Sequence, residues 1–463
     1  MNIEKVFLDA DTPISLFLRL KYEGLNPIFL LESAEEIEKW GRYSFLGFGT
    51  PSKSLKFSLD EVQDIENPKT RIQQGQKVVD NMNKILKEIY KEYNEVIEIV
   101  KSRFGIKRIP FGLVGYISYD CFSIFDRVDT FSGKEKLGVP DIYLTFTPNL
   151  LIFDNLTKDV ILISKEINAR DIETITSKGV PTSIKRCRIK EIKNLVEKKE
   201  FEDIVKEAIR RIYRGDVIQV VLSRAKEIEG DVDLFSLYRA MRILNPSPYM
   251  YFLDFGDIKI SGTSPEVLVR VENKIVETRP IAGTRKRGET PEEDENISRE
   301  LLEDEKELAE HLMLVDLARN DLGRVCISGK VRVRRFGYIE KYSRVMHIVS
   351  DVVGETDKEA IDVLKACFPA GTVAGAPKIE AAEIIHDLET KRRGPYAGAI
   401  GYFSADGNMD SAILIRTAFS YNNKITVQAG AGIVYYSVPE KEFYETEYKM
   451  QSIFDAMKKI SVD

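Results

Sequence analysis

Hydrophobic and polar positions along this chain follow two different periods, and the period switches several times. Between residues 76 and 102, Val79, Ile85, Ile89, Tyr93, Val96 and Val100 recur largely three or four apart, which predicts an amphipathic helix. From Phe111 to Tyr119 the chain is apolar and broken by glycine, as in a buried strand packed closely on its neighbours. A further strand pattern runs from Ile142 to Phe153. From Asp216 to Glu227, Val217, Gln219, Val221 and Ser223 share one face of a strand, and Ile218, Val220 and Leu222 share the other. Asp406-Gly407 and Asn422-Asn423 separate apolar runs and predict hairpins. Near the end, Ser437 as N-cap, Pro439 in the first turn and Glu440 three residues after the cap start a helix carrying Glu442, Glu445 and Lys449 on one face.

These patterns divide the chain into three stretches. Residues 1–165 read as a β-rich N-terminal region, residues 166–199 as a charged linker or surface excursion, and residues 200–463 as a larger region alternating long strands and helices. No internal repeat appears, and pattern alone gives a mixed α and β chain.

Composition narrows the class. Apolar content of 43% and charged content of 31% are those of a soluble globular protein. A net charge of -6 and the lack of a basic patch argue against nucleic acid as a partner. No signal peptide and no run of 18 apolar residues is present, so a membrane is not expected and a cytoplasmic location is. Cys121, Cys187, Cys326 and Cys367 have no paired spacing and read as reduced thiols.

The first candidate chemistry is a doubled carboxylate pair. Glu307 and Glu310, and again Glu442 and Glu445, stand three residues apart in helical segments, so each pair shares a helix face. Such pairs are also common on solvated faces. If they converge, four hard oxygen donors suit Mg2+, which keeps several waters and an anionic substrate, better than Ca2+, which takes more protein oxygens.

The pairs stand in an ordered series of motifs: Thr278-Arg279-Pro280-Ile281-Ala282-Gly283-Thr284-Arg285, Leu314 to Asp321, Arg344-Val345-Met346-His347, Phe368 to Lys378, and Gln428-Ala429-Gly430-Ala431-Gly432-Ile433-Val434. This series closely resembles the chorismate-utilising enzymes, densely over residues 200 to 455 and more thinly before that. The resemblance implies an α+β fold, a sandwich of antiparallel β-sheets with helices on the outside.

It also implies roles. Glu307, Glu310, Glu442 and Glu445 would hold Mg2+ against the ring carboxylate of chorismate. Thr284, Arg416, Lys449 and the backbone of Gly430, Ala431 and Gly432 would bind substrate; on its own, Arg416 in the apolar run Ala412–Thr417 reads equally as a buried structural ion pair. Glu266 would be the general acid for the departing C4 hydroxyl. His347, which by alternation alone is a core residue facing the same way as Val345 and Val349, would stand beside the ring and remove or relay the C2 proton. Gln219 and Thr372 complete the catalytic set. Pro377, at a helix start after the Ala370–Pro377 loop, suggests free N–H groups for an anion, and Ala374 stands where a serine is usual.

Two positions bear on which reaction is run. Family members that make aminodeoxychorismate commonly carry lysine where this chain has Ala282, and those that make isochorismate or salicylate commonly carry lysine where it has Gln219. Both absences favour attack by ammonia at C2 and release of pyruvate, giving anthranilate, the first committed step of tryptophan biosynthesis. No Gly-x-Cys-x-Gly element surrounds any cysteine, so ammonia is expected from a separate glutamine amidotransferase subunit in a hetero-oligomer. Leu30-Leu31-Glu32-Ser33 and Asn245 to Tyr251 resemble the family's tryptophan pocket, with Leu31, Glu32, Ser33, Pro248, Tyr249 and Met250 as the expected contacts for feedback inhibition. The alternatives are the aminodeoxychorismate reaction of the folate branch and a non-catalytic metal-binding protein.

Overall fold

Two large antiparallel sheets organise the chain in a computed structural model that describes residues 1–8, 10–34, 41–179, 183–342 and 345–461. The larger, of 12 strands, runs from the N-terminal strand Asn2–Val6 through Val160–Ser164, Asn149–Asp154, Tyr43–Phe48 and Pro27–Glu32. It continues through Tyr249–Asp254, Ile258–Ser264, Thr417–Tyr421 and Lys424–Ile433 to Gln219–Asp231. The smaller, of 10 strands, runs from Ile281–Lys286 and Val345–Glu355 through Val267–Glu272, Met409–Ile413 and Ala399–Ser404 to Gly112–Ile117, Ile142–Phe146 and Lys53–Phe57. The expected α+β sandwich is therefore present. Both sheets mix strands from before residue 165 with strands from after 200, so the chain on either side of the expected linker builds the same two layers.

The helix pattern at residues 76–102 belongs to Pro68–Phe104, which Asn67 caps by accepting from the Lys69 N–H. Gly105 ends it in the left-handed region at φ 67°, where glycine has no Cβ to clash. Its buried stripe of Val79, Ile85, Ile89, Tyr93 and Val100 packs on the smaller sheet, where Tyr93, Phe111 and Phe146 meet edge to face at 5.2–5.5 Å. Each such pair adds about 0.5–1.5 kcal/mol beyond area burial. Helices Pro13–Tyr22, Leu234–Leu244 and Pro439–Ile460 cover the outer face of the larger sheet.

Three expectations need correction. The apolar run from Ile142 to Phe153 is two strands, Ile142–Phe146 and Asn149–Asp154, in different sheets; Pro148 cannot continue a ladder, and the chain crosses between layers there. The expected linker carries the helix Ala169–Ser177 and the strand Arg188–Asn194, which pairs with Gln219–Asp231 through mostly polar residues because it lies at the edge. The last helix takes Val438 as N-cap, while Ser437 turns its Oγ to the Val434 N–H. Among the described residues no helix is long and apolar enough to cross a membrane.

Candidate active site

Residues from both sheets and two flanking helices enclose a cavity of about 440 Å3. Its floor is the ribbon formed by Gln219–Asp231 and Lys424–Ile433, in which Val221 pairs with Gly432 and Ser223 with Gly430. The glycines keep the floor open. A Cβ on Gly430 would fall 2.7 Å from the Tyr396 hydroxyl, and one on Gly432 2.7 Å from Gln219 Nε2.

Glu266 and Arg416 enter the cavity at two places where the chain passes from one sheet to the other. Glu266 lies between Ile258–Ser264 of the larger sheet and Val267–Glu272 of the smaller. Burial pushes its carboxyl up to about 7, against the Thr372 hydroxyl, which donates to Oε1 at 2.8 Å, and the charge of Lys449. Arg416 lies between Met409–Ile413 and Thr417–Tyr421 with φ 52°, so the apolar run Ala412–Thr417 is a crossover between sheets. Arg416 donates to the Lys449 carbonyl at 2.6 Å and has no carboxylate partner among the described residues, so the alternative of a structural ion pair is absent. Burial lowers its pKa, and a guanidinium held this way without a counterion invites a carboxylate from outside.

His347 faces the cavity from Val345–Glu355, opposite Thr284 on the neighbouring strand. Its Nδ1 lies 3.0 Å from the Gly283 carbonyl and 3.1 Å from Thr284 Oγ1. Because a carbonyl only accepts, Nδ1 carries the hydrogen, and Nε2 keeps its lone pair. Burial lowers the pKa and favours this neutral form. Gly283 makes the approach feasible at φ 59°, where an added Cβ would meet Leu301 at 2.9 Å and Glu307 Oε2 at 3.2 Å.

The two carboxylate pairs line the same cavity from two helices. Glu307 and Glu310 stand in the first two turns of Glu305–Gly323, which Asp304 caps, and Glu442 and Glu445 in those of Pro439–Ile460. Glu307 is paired with Arg285 at 3.0 Å, and Glu445 with Lys449 at 2.6 Å. Among the described residues Glu310 and Glu442 have no such cation. Burial raises both, with Glu307 and Glu445 repelling Glu310 and Glu445 repelling Glu442, against hydrogen bonds from Gln219 to Glu310 at 3.3 Å and from Ser437 to Glu442. Among the described residues no three His, Cys, Asp or Glu side chains stand close enough together to hold a metal ion by themselves. Surplus negative charge without a cage fits a cation that keeps its own waters, as Mg2+ does, and not one that needs six to eight protein oxygens.

Several predicted residues are placed differently from expectation. Ala431 is fully buried with its methyl on the far face of the ribbon, so only its backbone lies between Gly430 and Gly432 on the cavity side. Gly430 accepts Lys449 Nζ through its carbonyl at 2.8 Å; N–H and C=O of one strand residue point to the same side, so its N–H opens toward Lys449 as well. Pro377 is exposed and outside the cavity, and only Thr372 and Val373 of that loop reach it. Arg344 lies outside the described residues. Tyr396, Gln428 and Lys306 also line the cavity. Gln428 was findable, because it shares the face of Gly430 two residues on, whereas Tyr396 sits in a loop with no pattern to mark it.

Leu31, Glu32, Ser33, Pro248, Tyr249 and Met250 gather around a separate cleft of about 70 Å3. Leu31 pairs with Tyr251 on the cleft side of the sheet, while Glu32 pairs with Met250, whose side chain packs in the outer core. The Glu32 carboxylate accepts from Tyr238 at 2.6 Å and Arg242 at 3.0 Å. The carboxylate on the cleft side is Asp410, held by Arg270 and the Tyr249 hydroxyl.

A family model described as chorismate binding enzyme matches residues 39–455. The chain is 46% identical to anthranilate synthase component 1 from Aquifex aeolicus, over 98% of this chain and 93% of that one. Among solved structures, anthranilate synthase component I from Streptococcus pneumoniae superposes with a TM-score of 0.74 at 36% identity, covering 90% of this chain and 93% of that chain. The menaquinone-specific isochorismate synthase from Escherichia coli shares the fold, with a TM-score of 0.70 at 19% identity over 98% of this chain and 94% of its own.

Proposed function

The chain belongs to the chorismate binding enzyme family, and on that premise we propose that it is the large subunit of an anthranilate synthase, converting chorismate and ammonia to anthranilate, pyruvate and water. The observation that supports this most directly is the pairing in one cavity of a buried acid, Glu266, with a neutral imidazole, His347, while Ala282 and Gln219, which line the same cavity from different sheets, offer neither a nucleophile nor a base.

In the first step the nitrogen lone pair of ammonia adds at C2, the ring double bonds shift, and the C4–O bond breaks. Glu266 gives its proton to the departing hydroxide, which leaves as water, and the product, once ammonia's extra proton is lost, is 2-amino-2-deoxyisochorismate. In the second step His347 Nε2 takes the C2 proton, the electron pair enters the ring, and the C3–O bond breaks to release enolpyruvate, which becomes pyruvate. Aromatisation makes that step irreversible. Arg416 and the Gly430 N–H hold substrate carboxylates, with Lys449 fixing the Gly430 peptide from its carbonyl side. Thr284 fixes His347 from the neighbouring strand. Glu307, Glu310, Glu442 and Glu445 would hold Mg2+, which when bound neutralises the ring carboxylate and polarises the diene.

Ammonia is supplied in this reading by a separate glutamine amidotransferase subunit, in a cytoplasmic hetero-oligomer. Tryptophan binds the cleft between Leu31 and Tyr249 as feedback inhibitor, which requires two states that it distinguishes. Incubation with chorismate, Mg2+ and ammonium at about pH 8.5, where more ammonia is unprotonated, tests both parts. Anthranilate fluorescence should appear and fall when tryptophan is added. Chorismate left unconsumed would overturn the activity, and a tryptophan-insensitive rate the regulation.

A further inference from the structure

A second cavity, of about 470 Å3, lies beside the chorismate cavity, and Tyr396 and Gln428 line both. The two hollows share a floor. Along the ribbon, Val221 pairs with Gly432, Ser223 with Gly430, Ala225 with Gln428 and Glu227 with Thr426, and strand alternation places all of these on one face. Gln219, Val221, Gly430 and Gly432 floor the first cavity; Ser223, Ala225, Glu227 and Thr426 floor the second. The ribbon thus runs under both as one trough, divided where the Tyr396 hydroxyl stands over Gly430 beside Gln428.

The chemistry of the divide is neutral. Gln428 Nε2 donates to Ser223 Oγ at 2.8 Å, and Ser223 Oγ donates to Glu389 Oε1 at 2.9 Å. Glu389 is the acid bonded into this point, and Arg393 binds both of its oxygens, at 2.6 and 2.9 Å, while its guanidinium also lies 5.7 Å from the Tyr396 ring centre; Glu445, the other acid acting on Tyr396, is paired with Lys449. The Tyr396 hydroxyl has no protein hydrogen-bond partner among the described residues, and burial pushes its pKa up to about 12, so it stays a neutral donor. A cation at this neck would lose water and find no free carboxylate; a small neutral molecule that both donates and accepts would find partners on each side. The outer end, by contrast, is ringed by exposed charge, with Lys424 paired to Glu227 at 3.0 Å and Lys391 paired to Glu135.

We infer that this trough is the conduit by which neutral ammonia reaches the chorismate cavity, entering at the charged outer mouth and passing the Tyr396–Gln428 neck. The inference rests on the reading that ammonia is produced by a separate subunit. Its test plugs the outer trough after folding, at Thr426, which lines only the second cavity. A Thr426→Cys chain is labelled alone with a bulky methanethiosulfonate, freed of reagent and only then assembled with the amidotransferase subunit, whose nucleophilic cysteine is thereby spared, and it is assayed beside the unlabelled assembly, with the unsubstituted chain treated in parallel to account for half-buried Cys326.

Labelling should lower glutamine-dependent anthranilate formation about tenfold or more, leave glutamate production and the rate with saturating ammonium intact, and be reversed by a reductant. A labelled complex within about twofold of its unlabelled glutamine-dependent rate would overturn the conduit. So would equal loss of both rates, which would place the plug in the chorismate cavity, or dissociation of the complex, which would make the site a docking surface. If the unsubstituted chain makes no anthranilate from ammonium, the functional reading fails before the conduit is tested.

Discussion

Thr372 donates its hydroxyl to Oε1 of Glu266 at 2.8 Å, which leaves the second carboxyl oxygen of Glu266 to carry the acid proton. That bond favours the carboxylate, so it sets the upper pH at which the acid can work. Thr372→Val should reduce the rate and also raise the Glu266 pKa above its value of about 7. The alkaline limb of kcat/KM for chorismate, measured at constant free ammonia, should move up by about one pH unit, since a hydrogen bond to a charged group is worth about 1.5 kcal/mol. An unshifted limb would mean that another group sets it.

Glu266→Gln removes the proton donor and should lower kcat by about a hundred- to ten-thousandfold with little change in chorismate affinity. Its stability effect has a defined sign. Burial raises the folded pKa from 4.5 to about 7, so the folded state holds a proton that the unfolded state has lost in that window, and stability falls as pH rises through it. The variant should therefore gain Tm over the unsubstituted chain at about pH 8 and lose that gain near pH 4. Equal Tm differences at both pH values would contradict the buried-acid assignment.

Glycine substitutions in the floor should be graded. A Cβ on Gly430 meets the Tyr396 hydroxyl at 2.7 Å and the Leu222 carbonyl at 3.0 Å, and the second contact is backbone that cannot swing away. On Gly432 the nearest contact is Gln219 Nε2 at 2.7 Å, the end of a flexible side chain. Gly430→Ala should cost about 1–3 kcal/mol and raise KM for chorismate, with Gly432→Ala costing less. Urea unfolding and steady-state kinetics of the two variants check the order.

The carboxylate pairs were legible because i and i+3 share a helix face wherever the helix lies, and the tight chain geometry at Gly283, Gly430 and Gly432 was marked by glycine itself. The direction of the Glu32 carboxylate, which accepts from Arg242, follows from a strand alternation that a motif does not count. The neck residue Tyr396 and the sheet crossing at Pro148 depend on which strands become neighbours across more than a hundred residues, and no local period encodes that.

Metal binding can be read without turnover. Glu310 is raised by burial and then by the charges of Glu307 and Glu445, so ionising it costs stability as pH rises when no cation is present. Without divalent cation, Glu310→Gln should be more stable than the unsubstituted chain. With Mg2+ at about 100 times its Kd the unsubstituted chain should gain about 2.7 kcal/mol and the order should reverse. An unchanged order would remove Glu310 from the metal site.

Whether ammonia adds at C2 and pyruvate then leaves is decided by following chorismate, anthranilate and pyruvate together in one reaction with Mg2+ and ammonium. Equal molar amounts of anthranilate and pyruvate, matching the chorismate consumed, are the predicted result. Chorismate consumed without pyruvate, with an amino- or hydroxychorismate accumulating, would contradict it and show that Ala282 and Gln219 do not decide the outcome.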